Sequence, residues 1–214
     1  MNRSIGNPNR IFTDGVKLYE LDGQSIDKII DCFEDRITNW YFRFARKLTK
    51  STQSNFMLVA TCCILIDLFS QYIYGDNFSS ARCFKRFVRE YLKRYNRGIK
   101  PPIKTLVHRD GEVKEEKIID VAEGLYAGFR CGVVHSARIL EFGRINRENS
   151  KNAIILRKWR YAEQNGIEIQ INPVILLDDL ERIFKNYLKK LRKGDVKLVD
   201  NFKKKFKFEY GISF

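Results

Sequence analysis

The sequence predicts a mainly α fold, an up-and-down helical bundle carrying small β-hairpin insertions. Apolar residues recur at helical spacing in long runs between residues 26 and 139 and again from 174 to 191. Two dipeptides of hairpin type, Asp110-Gly111 and Asn165-Gly166, sit among β-rich residues that break this period. At 214 residues, with 44% hydrophobic and 31% charged, the chain reads as one domain, residues 1–214, long enough to bury a core without staples.

Residues 1–22 are rich in Asn, Gly and Asp and read as an extended or irregular N-terminal arm. Ser25 then caps a helix running from Ile26 toward Lys47, with Ile29, Ile30, Phe33, Ile37, Trp40, Tyr41 and Phe44 at helical spacing. After a polar turn, a second helix extends to about Tyr74 and is apolar nearly all round, which places it centrally. Gly75-Asp76-Asn77 stops it. A third runs from Ser79 or Ser80 to about Tyr95, with Phe84, Phe87, Val88, Tyr91 and Leu92 inward, and Pro101-Pro102 forbids continuation.

A short hairpin is expected over 103–113, turning at Asp110-Gly111; His108 within it reads as an exposed turn residue. A fourth helix follows, from about Lys117 to Ile139. Residues 153–171 read as a β-hairpin insertion turning at Asn165-Gly166. Asn172 caps and Pro173 opens the final long helix, to about Leu191. Gly194 ends it, and residues 194–214 form a basic C-terminal tail, helix or strand, packed on the body.

The odd set of five cysteines, Cys32, Cys62, Cys63, Cys83 and Cys131, contains no C-x-x-C and sits mostly among apolar residues, which predicts buried thiols in a reduced, cytoplasmic protein. The N-terminus lacks the apolar run of a secretory signal. The apolar run from Phe56 to Phe69 contains Asp67 and falls short of the roughly 20 residues that span a bilayer, so no membrane partner is expected.

The net charge of +14 is concentrated. Residues 82–100 and 189–207 each carry a net +7, so the rest of the chain is neutral. Two basic patches on a neutral body predict a polyanion partner, nucleic acid above all; solvated helix faces are the plainer reading.

The fourth helix holds the most specific signal. Arg130 precedes His135 by four intervening residues, and the chain has only two histidines. An imidazole that exchanges protons near neutral pH and a fixed cation suit phosphodiester chemistry. With Leu125-Tyr126 before them and Cys131-Gly132-Val133-Val134 between, these residues resemble the signature of the HEPN superfamily. The earlier order of an apolar helix with Asp67, a Gly75-Asp76 break and Cys83-Phe84-Lys85-Arg86-Phe87 is similar to that family too. The resemblance covers roughly residues 26–193 in organisation and is specific around 130–135. It departs at Cys131, where the family often has Asn, Asp or His.

The resemblance implies a HEPN-like fold, a homodimer with a shared cleft, and a metal-independent endoribonuclease without cofactor. It also implies a toxin or antiviral-defence setting with a protein inhibitor or antitoxin partner. Arg130 and His135 would be catalytic, with Asp67 and Cys131 as site support, and Arg138, Lys85, Arg86 and Arg89 would contact RNA. A non-catalytic RNA- or protein-binding or dimerisation module is the alternative. On an ideal helix positions 130 and 135 lie about 140° apart, and Asp67 is an obvious buried partner for Arg130, so a structural pair stands beside the catalytic one.

Gly124, Gly128 and Gly132 recur every four residues, each costing roughly 1 kcal/mol relative to Ala in a helix, so close approach of another helix is expected, from a bundle neighbour or a second subunit. No phosphate-cradling G-x-x-x-x-G-K-S/T loop is present. Cys131 and His135 form half of a metal site or a thiol–imidazole pair, with a core thiol the simpler reading. Asp178-Asp179 and Glu115-Glu116 are expected at helix starts, favouring the macrodipole.

Overall fold

The computed structural model describes residues 10–109, 112–148, 151–161 and 164–214. Its architecture is mainly helical with small sheets. The first helical run comprises α1 (Ile26–Ile37), a π-helical segment (Thr38–Phe42) and α2 (Arg43–Leu48). Ser25 Oγ caps α1 by accepting from the Lys28 amide. α3 (Asn55–Tyr74) follows and ends at Gly75, whose φ of +68° is left-handed. α3 packs against α2, α4 (Ala81–Tyr91), α7 (Pro173–Arg192) and α8 (Val196–Tyr210), which is why it is apolar nearly all round. Residues 52–74 are long and apolar enough to cross a membrane by composition, yet 67% of their apolar 18-residue window is buried within the chain.

Aromatic rings fill the space around α3. Phe69 stacks on Phe184 of α7 with centroids 5.2 Å apart, and Phe33 of α1 meets Tyr72 at 4.6 Å. Burying a side chain of this size contributes roughly 1.5–3 kcal/mol.

Several sequence expectations are corrected. The N-terminal arm is not irregular throughout: β1 (Ile11–Thr13) and β2 (Val16–Lys17) pair, and a 3₁₀ turn (Leu18–Leu21) follows. Phe12, Leu18 and Leu21 are buried, Phe12 against Phe206 and Tyr210 of α8, so apolar contact overrides a polar composition. The third helix stops at Tyr91, with a 3₁₀ turn over Lys93–Tyr95. The expected short hairpin is longer, β3 (Gly98–Arg109) against β4 (Glu112–Asp120). Its Asp110-Gly111 turn and the His108 side chain lie outside the described residues. Glu115 and Glu116 therefore stand in a strand, and the fourth helix begins at Val121 rather than Lys117.

The second hairpin is present as β6 (Ile154–Tyr161) and β7 (Gln164–Ile171), but Asn165-Gly166 is not its turn. Gly166 pairs across from Trp159 within the ladder, and a Cβ there would stand 2.5 Å from the indole. Glycine serves cross-strand packing here. A short strand invisible to periodicity, β5 (Gly143–Ile145), adds parallel to β7 and completes a sheet of order β5-β7-β6.

The tail is the helix α8, and one of its lysines is internal. Lys205, 2% exposed, donates to Gln71 Oε1 at 2.7 Å and the Asn77 carbonyl at 2.9 Å, and pairs with Glu209 at 2.9 Å. Tyr72 also donates to Glu209, and Asn201 donates to the Ile73 carbonyl, so α8 clamps the C-terminal end of α3. Removing one partner of a buried pair strands the others. Lys205→Ala is expected to cost about 3 kcal/mol, at the lower end for such a pair, and to lower Tm by roughly 6–12 °C. Calorimetry against exposed Lys204→Ala, expected within about 0.5 kcal/mol of wild type, checks it.

Candidate functional site

The helix bearing the Arg130–His135 spacing is built in three pieces: α5 (Val121–Gly124), a π-helical segment (Leu125–Cys131) and α6 (Gly132–Ser136). Asp120 caps it, its carboxylate accepting from the Glu123 amide at 2.8 Å. π-helical stretches are rare and collect at functional sites. The helix ends at Ala137, the one non-glycine residue with positive φ (48°) among the described residues. A left-handed alanine costs roughly 1–2 kcal/mol.

The glycine stripe is occupied by the chain's own return, which corrects the expectation of a neighbouring helix. A Cβ at Gly124 would meet Ile169 of β7 at 2.2 Å, one at Gly128 the Phe142 ring at 2.6 Å, and one at Gly132 the Arg138 carbonyl at 2.5 Å. Hydrogen bonds fasten the reversal: the Arg138 amide donates to the Gly132 carbonyl at 3.1 Å and the Leu140 amide to that of Gly128 at 3.0 Å. The stripe is thus explained without a second subunit.

Arg130 meets Asp67. Its Nε donates to Asp67 Oδ2 at 2.9 Å, its Nη2 reaches Ser79 Oγ at 3.4 Å, and Ser79 donates to Asp67 Oδ1 at 2.5 Å. The guanidinium also lies 5.7 Å from the Tyr126 ring. Burial alone would pull the Arg130 pKa down, but the hydrogen bond and charge of Asp67 outweigh it and raise it, so the cation is permanent. Burial, with Asp67 nearby, pushes the Cys63 thiol up to about 12. Burial and the neighbouring Cys131 raise the Tyr126 phenol. Ser79 and Tyr126 carry no sequence signal as partners of Arg130; Ser79 is legible only as a helix start.

His135 sits in the last turn of α6 and is exposed, as is Arg138. The structure therefore places Arg130 inward, on a carboxylate, and His135 outward. Arg138 lines a cavity of about 1090 Å³ between the β3–β4 hairpin and the β6–β7 pair, with Lys104, Lys158 and the half-exposed Trp159. Cys131 is partly buried beside Tyr126.

The other expected RNA contacts are engaged internally. Arg89 Nη2 is 2.8 Å from Asp120, Lys85 is 3.7 Å from Glu123, and Arg86 pairs with Glu90 at 2.8 Å while covering the Tyr74 ring. These interactions tie α4 to the start of the signature helix and to α3. Asp178 and Asp179 lie past the first turn of α7 and pair with arginines rather than capping the dipole: Asp178 with Arg46, Asp179 with Arg182 and Arg94. Among the described residues no group of three or more His, Cys, Asp or Glu is placed to hold a metal ion.

Asp67→Ala would leave the mostly buried Arg130 uncompensated and is expected to cost about 3 kcal/mol, against about 1 kcal/mol for Ser79→Ala. Denaturant titration checks both; a change under about 0.5 kcal/mol for Asp67→Ala, the range of an ordinary surface substitution, would show a pair screened by solvent. No protein-family model, curated protein or solved structure matches this chain.

Proposed function

We propose that the chain is a HEPN-like, metal-independent endoribonuclease acting through Arg130 and His135. The observation that carries this reading is the division of labour along one helix. Arg130 is held in a fixed orientation by Asp67 and Ser79, and its Nη1 makes no hydrogen bond among the described residues, while His135 stands exposed one turn on, beside the strained Ala137. On this reading an RNA phosphate bound across this helix draws on the Arg130 cation, whose charge is shared with Asp67, to offset that developing on the phosphorane.

His135 takes the proton of the 2′-hydroxyl, the 2′-oxygen bonds to phosphorus, and the P–O5′ bond breaks with its electrons leaving on oxygen. A general acid protonates that oxygen, giving a 2′,3′-cyclic phosphate and a 5′-hydroxyl. In a homodimer, His135 of a second copy serves as that acid. The cavity beside Arg138 offers cations and the Trp159 ring to the flanking strand. A cytoplasmic toxin or antiviral-defence role, restrained by a protein partner, fits an enzyme that degrades cellular RNA.

The Arg130–Asp67 pair also favours a second reading, a non-catalytic module that docks RNA or protein or dimerises, because that pair is complete as a structural tie. Incubation with cellular RNA in EDTA separates the two. Wild type is expected to leave cyclic phosphates, His135→Ala to slow cleavage by about 10²–10⁴-fold, and Arg130→Lys to fold yet cleave poorly. Intact RNA with wild type, or undiminished cleavage by His135→Ala, overturns catalysis; a monomer by sedimentation overturns the shared acid.

A further inference from the structure

The two basic stretches, a hundred residues apart in the sequence, meet in space. A groove of about 760 Å³ runs between the C-terminal end of α4 and the later turns of α7, lined by Lys93, Arg94, Arg182, Lys189, Lys190 and Lys193. Only Glu90 and Asp179 oppose these six cations in its lining, and Glu90 is already engaged by Arg86 and Tyr74. None of the four lysines has an ion-pair partner among the described residues. Leu92, Ile183 and Leu198 give the groove an apolar component, and Tyr91 a partly exposed ring.

Asp179 organises the arginines. It is 4% exposed and its Oδ1 accepts from Arg182 Nη2 at 2.6 Å; Arg94 Nε stands 3.4 Å from Oδ2, an ion pair without a hydrogen bond. Burial raises its carboxyl pKa above the usual range although both arginines pull it down. A single guanidinium would neutralise this carboxylate; the second leaves excess positive charge. Each arginine has five N–H donors: the hydrogen bond to Asp179 fixes the Arg182 fork on one edge, and Arg94, held by charge alone, keeps its donors for a ligand. The Tyr187 hydroxyl, buried in the same lining, has no hydrogen-bond partner among the described residues.

We propose that this groove binds the phosphate backbone of single-stranded RNA, with Arg94 and Arg182, set by Asp179, on one phosphate and the lysines of α7 on its neighbours. The proposal goes beyond the cleavage reading and stands without it. Paired planar forks match phosphate oxygens, and the Tyr91 ring, stacked by one face on Phe87 at 5.2 Å, has its other face for a base. That combination favours RNA over an acidic protein segment. Asp179 is a positioning residue.

Anisotropy of a labelled oligouridylate against His135→Ala protein, at low and moderate salt, measures binding without cleavage. Arg94→Ala/Arg182→Ala and Lys189→Ala/Lys190→Ala/Lys193→Ala are each expected to weaken binding about tenfold or more and to flatten the salt slope by about 0.7 for every phosphate no longer neutralised. Asp179→Asn removes a negative charge, which by charge alone would tighten binding; loosening is expected, because Arg182 loses the carboxylate that orients it and Arg94 the charge that holds it near. Three results overturn the proposal: affinity unchanged in both groove variants, weakening confined to Lys85→Ala/Arg86→Ala/Arg89→Ala, or polyglutamate binding as tightly as RNA and displacing it. Failure of wild type to cleave RNA leaves this measurement intact, so the two readings fail separately.

Discussion

α3 is apolar on nearly every face, and all but a strip at Met57 and Ile64 is removed from water. That burial sets the positions of α2, α4, α7 and α8, which surround it, and of the rings of Phe33, Phe87, Phe184 and Phe202 that fill the gaps. The same constraint makes the helix's one charge expensive. Asp67 needs a cation and a hydroxyl, and it finds Arg130 and Ser79. The candidate site is thus anchored to the core through the only charged group on α3, the one that the core could not absorb by itself.

The helical elements were well marked in the sequence, because Ser25, Ser80, Asn172 and the Gly75 and Gly194 stops act within a few residues of where they stand. What depends on distant partners was hidden. Three-residue β5 has no period to detect and exists because β7 offers it an edge. Asn165-Gly166 carries the composition of a turn, but the small residue is demanded by Trp159 across the ladder. Of the candidate site, the identity of Arg130, His135 and Asp67 was legible, and so was the pairing of Arg130 with Asp67. The part played by Ser79 was not, since it arises from the packing of α3 against the start of α4.

Charge shows the same split between counting and placement. Both basic stretches were visible as totals, yet the totals mix three kinds of cation. Lys205 is a buried clamp, Lys85, Arg86 and Arg89 are neutralised by acids on their own or neighbouring segments, and Lys93, Lys189, Lys190 and Lys193 have no such acid among the described residues. Only the last kind generates a field that reaches a ligand. Long-range attraction therefore comes from a fraction of the formal charge, gathered where two helices approach each other.

The return of the chain over Gly124, Gly128 and Gly132 has a consequence for how this protein can change over generations. A side chain at these positions has to displace the Ile169 methyl, the Phe142 ring or, at Gly132, the Arg138 carbonyl, and the last is backbone and yields least. Latitude for substitution lies elsewhere on this helix, as at Val134, which is 55% exposed. Exposed positions at this helix end can change what they meet, while the backbone contact at Gly132 that shapes the reversal holds its residue to glycine.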